Sequence, residues 1–260
     1  MKNQIKTTKA YAKVNIFLKI TGHKDGYHTL ISRFIRINNL YDTISLVPQK
    51  CSSFTIEGCD GVPTESNTIY RAYRVLLEET KSNKLEQFFA NHKVVVDKKI
   101  PSLAGLGGGS SDGASFMRLI NNICHLDIPI DRLSYLGSLI GADLPFFIHN
   151  YSSANVSGFG EVVEPFDEES LEIEVFTPPI ECNTAMVFQR FKKEFLADID
   201  IDSFDGWQKL KSKDILNQIK DPLLLNDLYL SASKAYPDLV EYAREGWYFS
   251  GSGSSFFRVL

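Results

Sequence analysis

The stretch "PSLAGLGGGSSDG", residues 101–113, constrains this chain more than any other. A glycine inside a regular element costs about 0.5–1 kcal/mol relative to alanine, so five glycines between 105 and 113 need a local reason. Before them, "HKVVVDKKI" reads as a short strand. After them, Phe116, Met117, Ile120, Ile123 and Cys124 recur at three- and four-residue spacing, which predicts a helix with one buried face. The cluster therefore sits at a strand-to-helix junction, with Ser110 and Ser111 at the helix start. Unpaired amides and the helix dipole make such a start attractive to an anion. From the residues alone two outcomes stand: a flexible surface loop, or a backbone cradle for phosphate. Standard phosphate sequences are missing. The chain has no Gly-Lys pair for a P-loop, and Ser110 occupies the third-glycine position of G-x-G-x-x-G. The protein-kinase triplets H-R-D and D-F-G are absent too.

The 260 residues suffice for one large or two small domains. A net charge of −4 provides no basic field for nucleic acid. Lysines at 2, 6, 9, 13 and 19 interrupt the N-terminal stretch, so no secretory leader is expected, and no apolar run approaches the roughly 18–20 residues of a membrane span. Cys51, Cys59, Cys124 and Cys182 form no C-x-x-C pair, which predicts reduced packing residues and a cytoplasmic setting. The five histidines show no metal-ligand spacing.

"AYAKVNIFLKI" (10–20) alternates, with Ala12, Val14, Ile16, Leu18 and Ile20 on one face and Lys13, Asn15, Phe17 and Lys19 on the other. That predicts a half-buried strand whose lysines face water by default. An Asp25-Gly26 turn leads to two further strands, "HTLISRFIRI" and "DTISLV". Helices are expected after Ser66 and Asn67, through "PIDRLSYLGSLIG" to Gly141, at 184–196 and at 226–245. The chain closes with a strand, a Ser/Gly turn and a terminal strand. This mixed order predicts an α+β fold rather than a Rossmann sheet, with a boundary near 150 and parts 1–150 and 151–260.

"PSLAGLGGGSSDGA" resembles the second motif of the GHMP kinases, Pro-x-x-x-Gly-Leu-Gly-x-x-x-Ser. "AKVNIFLKITGHKDGYHTL" (12–30), "GADLPFF" (141–147), "GFGE" (158–161), "LLLNDL" (223–228) and "SGSGSSFF" (250–257) extend the likeness in order along nearly the whole chain. They resemble the branch that phosphorylates the 2-hydroxyl of a cytidine-diphosphate-linked methylerythritol for non-mevalonate isoprenoid synthesis. The resemblance implies a two-domain GHMP kinase fold, with an N-terminal part like domain 2 of ribosomal protein S5 and a ferredoxin-like C-terminal part. It implies ATP and Mg²⁺ as cofactors and a small-molecule partner.

It also implies roles. Asp143 is the general base, although a lone aspartate past a helix end is by default structural. Lys13 pairs with that aspartate and stabilises the transferring phosphoryl group, and Asn15 orients the acceptor. Tyr27 and His28 hold the cytidine by stacking and base-edge hydrogen bonds, against the alternative of an exposed hairpin. Phe34 and Phe188 are further candidates for that pocket, each a core residue if its neighbours prove buried. Pro101, Ser102, Leu103, Ala104, Gly105, Leu106, Gly107, Gly108, Gly109, Ser110 and Ser111 cradle the ATP phosphates. Gly251 and Gly253 either close a loop near the site or belong to a flexible tail. The chain departs from the family at Leu103 and Ala104, where more glycine is usual. Arg33 and Arg36 stand where uncharged residues are common, as part of a substrate rim or as solvated charges. Two alternatives stay open: another GHMP small-molecule kinase of the homoserine or mevalonate type, and a non-catalytic ligand-binding relative.

Overall fold

A computed structural model describes residues 5–59, 61–81 and 83–260; Lys2 of the N-terminal lysine series lies outside them. The strands are β1 (Lys6–Lys24), β2 (Tyr27–Pro48), β3 (Ile56–Glu57), β4 (His92–Asp97), β5 (Ser153–Ser157), β6 (Val162–Pro165), β7 (Ile173–Phe176), β8 (Tyr248–Phe249) and β9 (Phe256–Val259). The α-helices are α1 (Thr68–Thr80), α2 (Lys84–Phe89), α3 (Gly108–Ile123), α4 (Ile130–Ser138), α5 (Leu144–His149), α6 (Thr184–Glu194), α7 (Ser212–Gln218), α8 (Pro222–Leu225) and α9 (Asp227–Ala235). The class is α+β, as the order of elements predicts.

β1 and β2 form a long hairpin. Its turn is Asp25-Gly26, both at positive φ (52° and 88°), the geometry that matches the twist of the flanking strands. "HTLISRFIRI" and "DTISLV" run on as the single strand β2, because Asn38, Asn39, Leu40 and Tyr41 between them include no glycine or proline to stop it. β1 also differs from the half-buried strand expected of its alternation. From Ala12 to Ile20 every residue is buried, Lys13, Asn15, Phe17 and Lys19 included, so both faces are covered.

Two compact units share the chain. One holds residues up to 12, 38–100 and 108–150; the other holds 13–37, 101–107 and 151–260. A single cut at 150 marks only the last crossing, because β1 and β2 each run from one unit into the other.

In the first unit the C-terminal half of β2 pairs antiparallel with β4 (Ile44 opposite Val96), and β4 pairs in parallel with β3. Helices α1 and α5 pack on α3, and α4 packs on α5. Asn67 caps α1 by accepting from the amide of Ile69 at 2.9 Å, as its position before the helical run predicts. Ile69, Leu76, Phe89, Phe116, Met117 and Ile120 are buried here, each contributing about 1.5–3 kcal/mol by burial.

In the second unit the N-terminal half of β2 pairs antiparallel with β5 (Phe34 opposite Ala154), and β5 with β6. A separate antiparallel sheet runs β7-β9-β8, and α6 packs on α9. The helix expected over 226–245 is broken. Tyr236, at φ −131° and ψ 83°, leaves the helical region before Pro237, and a 3-10 segment Pro237–Tyr242 follows.

Candidate active site

Strand alternation places Lys13 and Asn15 on the same face of β1. Lys13 is not the solvated lysine of an amphipathic strand; it is 4% exposed. Its Nζ donates to Asn15 Oδ1 at 2.8 Å and to the Gly105 carbonyl at 3.1 Å, and lies 4.7 Å above the Phe34 ring. Asn15 Nδ2 in turn donates to Ser32 Oγ at 2.9 Å. A buried ammonium is tolerated only with such partners. Phe34 is buried beneath the Lys13 ammonium.

The N-terminal half of the glycine stretch is fixed to this strand. The Lys13 amide donates to the Leu106 carbonyl at 3.0 Å, and the Ser255 amide to the Ala104 carbonyl at 3.1 Å. Gly105 has φ +74°, and a Cβ there would overlap the Ser250 carbonyl oxygen, so only glycine fits. Leu103 takes φ +51° without being glycine and is exposed, whereas Ala104 is buried. The 250–255 turn is no flexible tail. Ser250, Ser254 and Ser255 are fully buried, and Asn226 Nδ2 donates to the carbonyls of Phe249 and Gly251 at 3.1 and 2.9 Å. The "LLLNDL" stretch thus latches the turn beside Gly105 and Asn15.

In the first unit the helix begins at Gly108, earlier than the serine pair suggests, so Gly108 to Ser111 form the first turn of α3. Thr68 Oγ1 donates to the Gly109 carbonyl. Ser111 Oγ and Asp112 Oδ1 are buried and lack a hydrogen-bond partner among the described residues. Lys98 Nζ ties Asp112 Oδ2 (2.7 Å) to Asp42 Oδ2, and Asp42 Oδ1 accepts from the amides of Lys99 and Ile100. Burial pushes the Asp112 carboxyl up to about 7, opposed by Lys98 and assisted by Asp42. Burial alone would lower the Lys98 ammonium, but the two carboxylates bring it above its ordinary value.

Asp143, also in this unit, immediately precedes α5 and does not cap it. The residue is half-buried, while Leu144 to Ile148 after it are buried.

Two sets of ring contacts start from the hairpin tip, one at Tyr27 and one at His28. Tyr27 is 67% exposed with its ring 5.6 Å from Phe159. His28 lies 5.2 Å from Phe188 and 5.9 Å from Phe191, and edge-on to His23 at 5.2 Å. Burial pushes the His28 imidazole below its ordinary value, with His23 and Lys192 adding to the effect, and its Nε2 has no partner among the described residues. The hairpin tip so carries an exposed ring at Tyr27 and, at His28, an imidazole whose burial favours the neutral form.

Residues 67–151 match the GHMP kinases N terminal domain family. The chain is 59% identical over 250 residues to a 4-diphosphocytidyl-2-C-methyl-D-erythritol kinase of Sulfurovum sp., covering 96% of this chain and 97% of that protein. It is 46% identical over 260 residues to the kinase of that name from Sulfurimonas denitrificans, covering 98% and 97%. The chain belongs to the 4-diphosphocytidyl-2-C-methyl-D-erythritol kinase family of GHMP kinases. Among solved structures it resembles a 4-(cytidine 5'-diphospho)-2C-methyl-D-erythritol kinase, with TM-score 0.73, 27% identity and coverage of 98% of this chain and 90% of that one. A mevalonate kinase from Methanococcus jannaschii shares the fold at TM-score 0.59 and 15% identity, over 100% of this chain and 92% of that one.

Of the candidate site residues, the structure brings together Lys13, Asn15, Phe34 and Gly105, and it brings His28 against Phe188. Sequence reasoning missed Asp42, Lys98 and Asp112, because carboxylates 56 positions before and 14 positions after the lysine leave no local spacing. It missed Phe159, although the "GFGE" stretch carries it. Arg33 is corrected outright. It is neither a rim residue nor solvated but 0% exposed, paired with Glu168 and stacked 3.3 Å over Phe166.

Proposed function

We propose that this protein transfers the γ-phosphoryl group of ATP to the 2-hydroxyl of 4-diphosphocytidyl-2-C-methyl-D-erythritol, giving the 2-phosphate and ADP in non-mevalonate isoprenoid precursor synthesis. The observation that carries this is identity at 59% along almost the full chain with a kinase of that name.

Asp143 takes the proton of the acceptor hydroxyl as the new P–O bond forms. Lys13, its charge preserved by Asn15 and the Gly105 carbonyl, stabilises the charge that develops on the transferring group, and Asn15 orients the acceptor. Tyr27 stacks on the cytosine and His28 reads its edge, with Phe188 behind the imidazole. Stacking of this kind contributes about 1–3 kcal/mol per base.

Residues 101–111 cradle the ATP phosphates through backbone amides. Mg²⁺ suits the oxygen donors in the first turn of α3, where the Ser111 hydroxyl is a fitting ligand, and when bound it neutralises phosphate charge. Residues 1–150 and 151–260 are taken as the N- and C-terminal GHMP kinase parts. With net charge −4 and no helix among the described residues long and apolar enough to cross a membrane, the protein is assigned to the cytoplasm with small molecules as its partners.

The test is ADP release by the purified protein with ATP and, in turn, the cytidine-linked substrate, homoserine and mevalonate. Turnover of the first alone supports the proposal; turnover of another acceptor, or of none, overturns it.

A further inference from the structure

Trp207 lies in a three-residue 3-10 turn, Trp207–Lys209. Its indole meets the Phe17 ring edge-on at 5.6 Å, and the Lys19 ammonium lies 6.0 Å from its centroid. Alternation along β1 puts Phe17 on the face that carries Lys13 and Asn15, about 7 Å beyond Asn15. Phe17 is fully buried, whereas Trp207 is only half-buried. The indole thus covers Phe17, the next residue after Asn15 on that face of the strand, and keeps part of its own surface open.

So short a turn supplies little rigidity of its own, and a buried side chain supplies the rest. Arg33 Nη2 donates to the Gln208 carbonyl at 2.9 Å, and both Nη1 and Nη2 reach the Leu210 carbonyl at 3.3 Å. Arg33 Nε donates to Asn155 Oδ1 at 2.7 Å, and Glu168 neutralises the guanidinium. Glu168 also accepts from the amide and hydroxyl of Ser212 at 2.8 Å, so the pair clamps the segment on the C-terminal side of Trp207. A planar fork can hold two carbonyls at once; a lysine ammonium is a single point.

We propose that Trp207 is an aromatic wall of the acceptor site, packing on the C–H face of the acceptor's branched polyol, and that Arg33 is the positioning residue that sets it. This rests on the acceptor role of Asn15 proposed above. The polar groups of Lys13 and Asn15 take the hydroxyls, and the indole takes the apolar side that a methyl branch enlarges. Neither residue belongs to the motifs that carry the family resemblance, and Arg33 is one of this chain's departures from it.

The experiment is steady-state kinetics on the full chain, beginning with the wild type. Failure of the wild type to turn over the cytidine-linked substrate removes the kinase reading and this inference with it. Given turnover, Trp207→Ala raises KM for that substrate about ten-fold and leaves KM for ATP within two-fold, while Trp207→Phe restores most of the loss. The double variant Arg33→Met, Glu168→Gln, which leaves no charge buried alone, shows the same one-sided KM shift. An unchanged acceptor KM in Trp207→Ala, or equal rises in both constants, overturns the inference. A direct readout accompanies it: in a Trp247→Phe background Trp207 is the sole tryptophan, and the acceptor added without ATP changes its fluorescence. No change on saturation also overturns it.

Discussion

At Asp143 the chain places a carboxylate whose backbone ends one turn and opens the next, without spending its oxygens on the cap of α5. Asp143 is the base of the reaction proposed above, and Asp143→Asn removes that capacity while keeping the size of the side chain. We expect kcat to fall by roughly 10²–10⁴, the usual contribution of a positioned base, with ATP affinity unchanged. Kinetics together with calorimetric ATP binding check this, and near wild-type kcat would exclude Asp143 from the chemistry. Asp112 differs, since its carboxyl is buried and raised from 3.8 to about 7. The folded state then keeps a proton that the unfolded chain has released. The resulting stability is fully present below about pH 4 and is lost as pH rises through 7. Asp112→Asn lacks this dependence. The melting-temperature difference, variant minus wild type, should grow between about pH 4 and pH 7 and flatten above that range. A difference constant with pH would contradict the buried, proton-holding carboxyl.

The glycine stretch shows how one element can serve two ends. Gly105 is required by its left-handed φ and by the Ser250 carbonyl, whereas Gly108 and Gly109 lie in ordinary helical backbone. A Cβ at Gly108 would sit 3.0 Å from Ile100 Cγ2, so Gly108→Val disturbs a buried packing contact as well as any anion. At Gly109 the nearest atom to a new Cβ is Thr68 Oγ1 at 3.8 Å, which leaves room for a side chain; in the cradle proposed above, that side chain would stand where the phosphate approaches the backbone. Gly109→Val should therefore weaken ATP binding at least ten-fold with circular dichroism and melting temperature close to wild type. Gly108→Val should lose both. Unchanged ATP affinity in folded Gly109→Val would leave this stretch a plain strand-to-helix connection. The strand-to-helix junction was legible because glycine density between two periodic segments has few physical causes. The register of the helix start was not, since glycine can sit inside a first turn as easily as before it.

For the whole molecule, the α+β class, the hairpin and α1, α3 and α6 follow from periodicity and turn chemistry. The burial of Lys13 and Arg33 does not. Alternation specifies which face a side chain joins, but only tertiary packing decides whether that face meets water. Phe34 over Lys13 and Glu168 beside Arg33 are long-range partners of this kind. Interleaved units were equally hidden, because a strand that passes from one unit to the other carries no compositional mark at the crossing. Motifs, by contrast, led to the family, since each quoted stretch is local in sequence. The proposed reaction stands or falls on where the phosphoryl group goes. The direct measurement is phosphorus and carbon NMR of the product formed by the purified protein from ATP and 4-diphosphocytidyl-2-C-methyl-D-erythritol. We expect one new phosphomonoester signal, coupled to the methyl-bearing carbon at position 2, with one ADP per product. A phosphate on any other hydroxyl, or ADP formed with the substrate left intact, would contradict it.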